Sequence, residues 1–121
     1  RFVFREMPIL SANSNDIARW SLASHEQGKY FEFHAALMNH RGSRNAETMK
    51  KIAKDVGLDP EQLEKDANSS DVKAALEESV KVAREVGIQG TPAFIINGEL
   101  YPGYLGPEGL KRAVESARQK L

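Results

Sequence analysis

Thiols, histidine clusters and paired carboxylates are the residues that most readily do chemistry, and this 121-residue chain offers few of them. It contains no cysteine. Disulfides, thiolate metal sites and thiol catalysis are therefore excluded within these residues. Its three histidines, His25, His34 and His40, lie nine and six positions apart. Neither interval is the i, i+3 or i, i+4 step that puts two ligands on one helix face. His34 shares an apolar face with Phe33 and Leu37, which reads as a partly buried, hydrogen-bonded side chain; no metal site is expected. Arg5 and Glu6 are adjacent charges, the pattern of a solvated edge or a salt bridge. No phosphate-cradling glycine loop, paired-carboxylate signature or Ser-His-Asp pattern is evident.

The most specific residue pattern lies in 87–103. Gly87 and Ile88 read as a helix stop, Gly90-Thr91-Pro92 as a proline-pinned loop, and Ala93 to Tyr101 as a tight hairpin. Asn97-Gly98 is the strongest two-residue hairpin signal, because both turn positions need positive φ. Pro92 has no N–H to give a ladder or a ligand. By itself it reads as an ordinary trans turn proline, since few X-Pro bonds in folded proteins are cis.

The elements that must position this loop are mostly helical. Phe2, Val3 and Phe4 are three successive apolar residues, which predicts a strand buried on both faces over 2–5 and ended by Met7-Pro8-Ile9-Leu10. Asn13 to Asp16 supply N-cap candidates for a helix through Ile17, Trp20, Ser21 and Ser24 to about Gln27, stopped by Gly28. Tyr30, Phe33, His34, Leu37 and Met38 give a second helix with one apolar face. Met49, Ile52, Ala53 and Val56 give a third, ending in the Val56-Gly57-Leu58 stop. Asp59-Pro60 restarts the chain as a short helix to about Ala67. Val72, Ala75, Leu76, Ser79, Val80, Ala83 and Val86 form the face of a fifth helix, capped from Asn68-Ser69-Ser70-Asp71. A last helix opens at Gly106-Pro107-Glu108, with Leu110, Ala113, Val114, Ala117 and Leu121 as its stripe. The aromatic group Trp20, Tyr30, Phe31 and Phe33 reads as packing between helices. Tyr101, Tyr104 and Leu105 read as core or rim after the hairpin.

The totals bound the rest. Basic and acidic residues balance at 17 each, so no nucleic-acid footprint is expected. No apolar run approaches the roughly 20 residues of a membrane span. The chain is one domain's worth of residues, and it begins at Arg1 with a strand entered midway. It is therefore expected to be an N-terminally truncated piece.

The loop, hairpin and final helix resemble the second half of a thioredoxin fold. The longer match is carried by Phe4-Arg5-Glu6-Met7-Pro8-Ile9-Leu10, Ala18-Arg19-Trp20, His25-Glu26-Gln27-Gly28-Lys29-Tyr30 and Phe33-His34-Ala35-Ala36-Leu37-Met38. With these the chain resembles bacterial DsbA-type thiol–disulfide oxidoreductases over essentially its whole length. The resemblance implies an α/β protein. It is a partial thioredoxin fold with an inserted helical domain, lacking the first strand and the Cys-x-x-Cys helix. It assigns 1–10 and 87–121 to the thioredoxin-like part and 11–86 to the insert. It implies disulfide exchange in substrate polypeptides, a redox partner protein, no cofactor, and the periplasm or cell envelope. The family's loop proline is typically cis and faces the dithiol; Pro92 matches it. Gly90, Thr91 and Pro92 are then the substrate-binding residues, with the Thr91 backbone free to pair with an extended substrate.

Catalytic residues are absent from this chain, because the Cys-x-x-Cys pair is not in it. The fragment itself is expected to be redox-inactive, and its unpaired strand edges predict a strand-swapped dimer. A thiol-free, thioredoxin-like peptide-binding module is the alternative. Kappa-class glutathione transferases and hydroxychromene-carboxylate isomerases have a similar architecture. Their Phe-Trp-Gly-x-Asp-Arg-like string is replaced here by Leu100-Tyr101-Pro102-Gly103-Tyr104, which argues against them.

Overall fold

The computed structural model describes residues 1–8 and 12–121. Its elements run α1 (Ala12–Ala23), a 3-10 turn (Ser24–Gln27), α2 (Tyr30–Asn39), α3 (Ala46–Asp55), α4 (Pro60–Ala67), α5 (Ser70–Glu85), β1 (Ala93–Ile96), β2 (Glu99–Pro102) and α6 (Gly106–Gln119). Two compact units result, Arg1–Val82 and Ala83–Leu121.

The first unit is helical around one core. Trp20 and Ala23 of α1, Phe33 and Leu37 of α2, Met49, Ile52 and Ala53 of α3, Leu63 and Ala67 of α4, Leu58 and Val72 form one buried cluster. Local signals set the joints between its helices. Asn45 accepts from the Thr48 N–H at 2.9 Å and caps α3. Past the end of α3, the Leu58 N–H reaches the Ala53 carbonyl at 2.8 Å and the Gly57 N–H reaches that of Lys54 at 3.1 Å. That double closure needs the left-handed residue, and Gly57 supplies it at φ 87°. Leu58 then turns inward, 4% exposed. Asp59 accepts from the N–H groups of Glu61 and Gln62, with Pro60 in the first turn of α4. The same closure ends α5, where Ile88 donates to Ala83 at 2.9 Å and Gly87 to Arg84 at 3.2 Å.

Several expectations are corrected. Residues 2–5 are not a strand. Phe2, Val3 and Phe4 are 73, 66 and 53% exposed rather than buried. A strand exists only through a ladder, and among the described residues no backbone hydrogen bond reaches this segment. The expected end of that strand falls partly on residues 9–11, outside the described residues. Helix α1 has already begun by Ala12, so Asn13 to Asp16 lie inside it rather than ahead of it. Its last turn tightens to 3-10 before Gly28 closes it at φ 73°. On α2, Met38 and Phe31 point to solvent, while Phe33 and Leu37 are buried. Ala75 on α5 and Val86 just past its end are exposed.

The second unit holds the last turn of α5, the hairpin and α6. The hairpin is antiparallel, with Ala93 opposite Pro102, Phe94 opposite Tyr101, Ile95 opposite Leu100 and Ile96 opposite Glu99. Its turn takes φ 51° at Asn97 and 80° at Gly98, the positive pair that a two-residue turn of this twist requires. Helix α6 packs on β1. Ala113 is buried, Leu110, Val114 and Ala117 are partly so, and Leu121 is exposed.

Candidate functional site

The loop before β1 is fixed at both ends and open between them. Upstream, the Gly87-Ile88 closure of α5 sets its start. Downstream, β1 pairs with β2, and one further rung is added where Gly103 donates to the Pro92 carbonyl at 3.1 Å. Among the described residues, no hydrogen bond engages the backbone of Gln89, Gly90 or Thr91. All three are exposed, as is Pro92. The Thr91–Pro92 peptide bond is cis. Polar backbone left unpaired at a surface is available to an incoming chain.

A groove of about 410 Å³ opens beside this loop, lined by Gly87, Ile88, Gln89, Gly90, Thr91, Pro92, Ala93, Leu100, Pro102 and Gly103. The lining carries no ionisable side chain; Gln89 and Thr91 are its only polar ones. Gly90 bears on how closely a ligand can approach. A Cβ added there would meet no heavy atom within 4 Å, so the chain's own packing does not demand glycine. Gly90, Thr91 and Pro92 are thus brought together on one wall.

The sequence reading did not name Ile88, Gln89, Leu100, Pro102 or Gly103 as lining residues. The Asn97-Gly98 turn carried the needed signal. A two-residue loop puts Ile96 opposite Glu99 and, counting back, Pro92 opposite Gly103. Tyr104, expected as core or rim, is 78% exposed and does not line the groove. Tyr101 is partly buried, its hydroxyl 3.3 Å from Glu99 as donor.

A second polar cluster lies in the first unit. The Tyr30 hydroxyl donates to the Glu6 carboxylate. His34 Nδ1 lies 4.0 Å from the same oxygen, and its ring stacks on Tyr30 at 5.6 Å and 13°. Burial, first, and then the Glu6 carboxylate hold the Tyr30 phenol well above the ordinary tyrosine range. Glu6 therefore engages α2, not Arg5, which is exposed. His25 is exposed, and His40 faces the Ser43 carbonyl at 3.2 Å. Among the described residues, no group of three or more His, Cys, Asp or Glu could hold a metal ion, and no helix is long and apolar enough to cross a membrane.

Comparison with known proteins places this geometry. Residues 1–115 match the family model described as DSBA-like thioredoxin domain. A thioredoxin-like oxidoreductase from Silicibacter pomeroyi DSS-3 superposes with a TM-score of 0.87 at 42% identity, over 95% of this chain and 66% of that one. The thiol-disulfide exchange protein alpha-DsbA2 from Wolbachia pipientis gives 0.85 at 30% identity, over 94% of this chain and 63% of that one. A Na(+)/H(+) antiporter NhaA 1 of Mycobacterium sp. (strain KMS) is 31% identical over 121 residues, 97% of this chain but 20% of the antiporter. The chain thus spans about a fifth of the curated relatives it matches and just under two thirds of the solved structures.

Proposed function

The chain belongs to the DSBA-like thioredoxin domain family, and on that premise we propose that it serves thiol–disulfide exchange by holding the substrate polypeptide. Gly90, Thr91 and Pro92 are the binding residues in this reading. The observation that carries it is the loop 89–91, whose backbone is unpaired and exposed beside an apolar groove that Thr91 and Pro92 line. An extended substrate segment would add to the Thr91 backbone as a strand adds to an edge. Its side chains would lie against Ile88, Leu100 and Pro102.

Exchange passes through a mixed disulfide between thiols. These residues contain none, so the chain contributes recognition, and the reacting dithiol would lie outside it. Substrates in this reading are polypeptides with thiols or disulfides, a separate redox protein resets the dithiol, and the setting is the bacterial cell envelope. The likeness to alpha-DsbA2, whose printed name is that of a thiol-disulfide exchange protein, supports this reading.

The lack of any thiol favours a second reading, a peptide-binding module that needs no redox chemistry. One experiment separates the two. A photo-crosslinking residue at position 91 is offered reduced, unfolded polypeptide with and without cysteines, alongside an insulin-reduction assay of the chain alone. Exchange predicts capture at position 91 and no insulin reduction. It also predicts that the captured cysteine-containing polypeptide forms a mixed disulfide once a Cys-x-x-Cys protein in its disulfide form is supplied, the polypeptide thiolate attacking that disulfide and one of its sulfurs leaving as thiolate. Equal capture of both polypeptides with no such mixed disulfide supports the thiol-free module. No capture at position 91 overturns both.

A further inference from the structure

The groove beside the binding loop is set apart by its lack of charge. Of the chain's residues 28% are charged, yet none of those lining the groove is. The alternation of the hairpin produces this. Successive residues of a strand face opposite ways. Leu100 and Pro102 of β2 therefore share the groove side with Ala93, the partner of Pro102. Glu99 and Tyr101 take the other side. There the Tyr101 hydroxyl donates to Glu99 at 3.3 Å, and the Lys120 ammonium meets the same carboxylate oxygen at 3.7 Å. The carboxylate next to Leu100 is thus turned away from the groove and already paired. Gln89 and Thr91 supply the only polar side chains of the lining, both uncharged and both exposed.

We propose that the groove restricts the loop to uncharged polypeptide segments, apolar at alternate positions, and that Gln89 is the residue that keeps it neutral. This rests on the reading of residues 89–91 as a peptide-binding loop. A strand laid along that loop turns every second side chain toward Ile88, Leu100 and Pro102. An apolar side chain there leaves water and gains by burial. A carboxylate or an ammonium there leaves water too, and meets no opposite charge. Both signs are rejected alike, because 17 basic and 17 acidic residues leave the chain no net field to favour one. The Gln89 amide both donates and accepts, so it serves a peptide backbone or a hydroxyl side chain while supplying no counter-charge. Discrimination of this kind works by leaving the wrong partner's charge unpaired rather than by adding contacts to the right one.

The test titrates the 121-residue chain, with a photo-crosslinking residue at position 91, against three cysteine-free peptides. All share one Ser/Thr host sequence and carry Leu, Asp or Lys at the same two alternate positions. The Leu peptide should reach half-maximal crosslinking at a concentration at least tenfold below that of either charged peptide. Gln89→Glu should then tighten the Lys peptide roughly threefold and weaken the Asp peptide, and Gln89→Lys should do the reverse, the scale of an exposed ion pair. Gln89 is exposed, so neither variant should alter the circular dichroism. Capture of all three peptides within twofold of one another, or a charged peptide preferred over the Leu peptide, overturns the selectivity and leaves the loop reading standing. Discrimination that neither Gln89 variant shifts overturns the role given to Gln89. No crosslink at position 91 with any of the three overturns the loop reading and the selectivity with it.

Discussion

The Gly103 N–H donates to the Pro92 carbonyl at 3.1 Å, one rung beyond the last strand pair of the hairpin. This bond fixes the carbonyl of the cis proline to the scaffold. Thr91 is then the first residue whose backbone the chain leaves unclaimed. The binding loop is in this sense an extension of the hairpin, positioned by a ladder yet not part of it.

Gly90 tests whether that loop meets a ligand. Open space surrounds the position where its Cβ would be. Gly90→Val should therefore change the urea-unfolding free energy by less than about 0.5 kcal/mol. The same variant should weaken capture of an extended peptide tenfold or more, about 1.4 kcal/mol. Loss of stability with unchanged peptide affinity would contradict the assigned role.

Gly57 sits at φ 87° under Lys29, whose ammonium donates to the Val56 carbonyl at 3.1 Å. An added Cβ would lie 3.1 Å from that same nitrogen. Gly57→Ala should cost about 1–2 kcal/mol, from the left-handed backbone and the displaced lysine. Urea titration of the two proteins measures it.

Much of this was legible in sequence because the signals were local. Val56-Gly57-Leu58, Asp59-Pro60 and Asn97-Gly98 each specify a joint within four residues, and each joint formed as read. The loop Gly90-Thr91-Pro92 was marked by its proline and the hairpin after it. Its unpaired backbone was not legible, because that depends on where every neighbouring donor goes. Residues 2–5 misled for a related reason: apolar, β-branched composition describes a strand, but only a paired neighbour makes one. The Tyr30–Glu6 bond joins residues 24 positions apart. No periodicity within α2 announces it.

That bond makes a pH prediction. The Tyr30 phenol is held above its ordinary value by burial and then by Glu6. In the unfolded chain it ionises near pH 10; in the folded chain it does not. The unfolded state thus binds fewer protons above that pH, and stability falls as pH rises past about 10. Glu6→Gln removes the carboxylate and should let Tyr30 ionise at lower pH. The absorbance titration at the tyrosinate band, taken as the difference from Tyr30→Phe, reports it. An unchanged midpoint would contradict the pairing.

Phe33 is fully buried at the centre of the helical core. Phe33→Ala should destabilise the first unit by about 3–5 kcal/mol through lost burial and the cavity left behind. The hairpin of the second unit gives a separate reference. Amide exchange of Leu37 and Ile52 should accelerate, while that of Ile95 should change less.

The most direct test of the central claim is an amide NMR titration of the chain with an extended peptide free of cysteine. Capture by the loop predicts shifts concentrated at Gln89, Gly90, Thr91 and Gly103, with the Thr91 amide slowed in hydrogen exchange when the peptide is bound. Shifts confined to other surfaces, or a Thr91 amide that exchanges equally fast with and without saturating peptide, would contradict it.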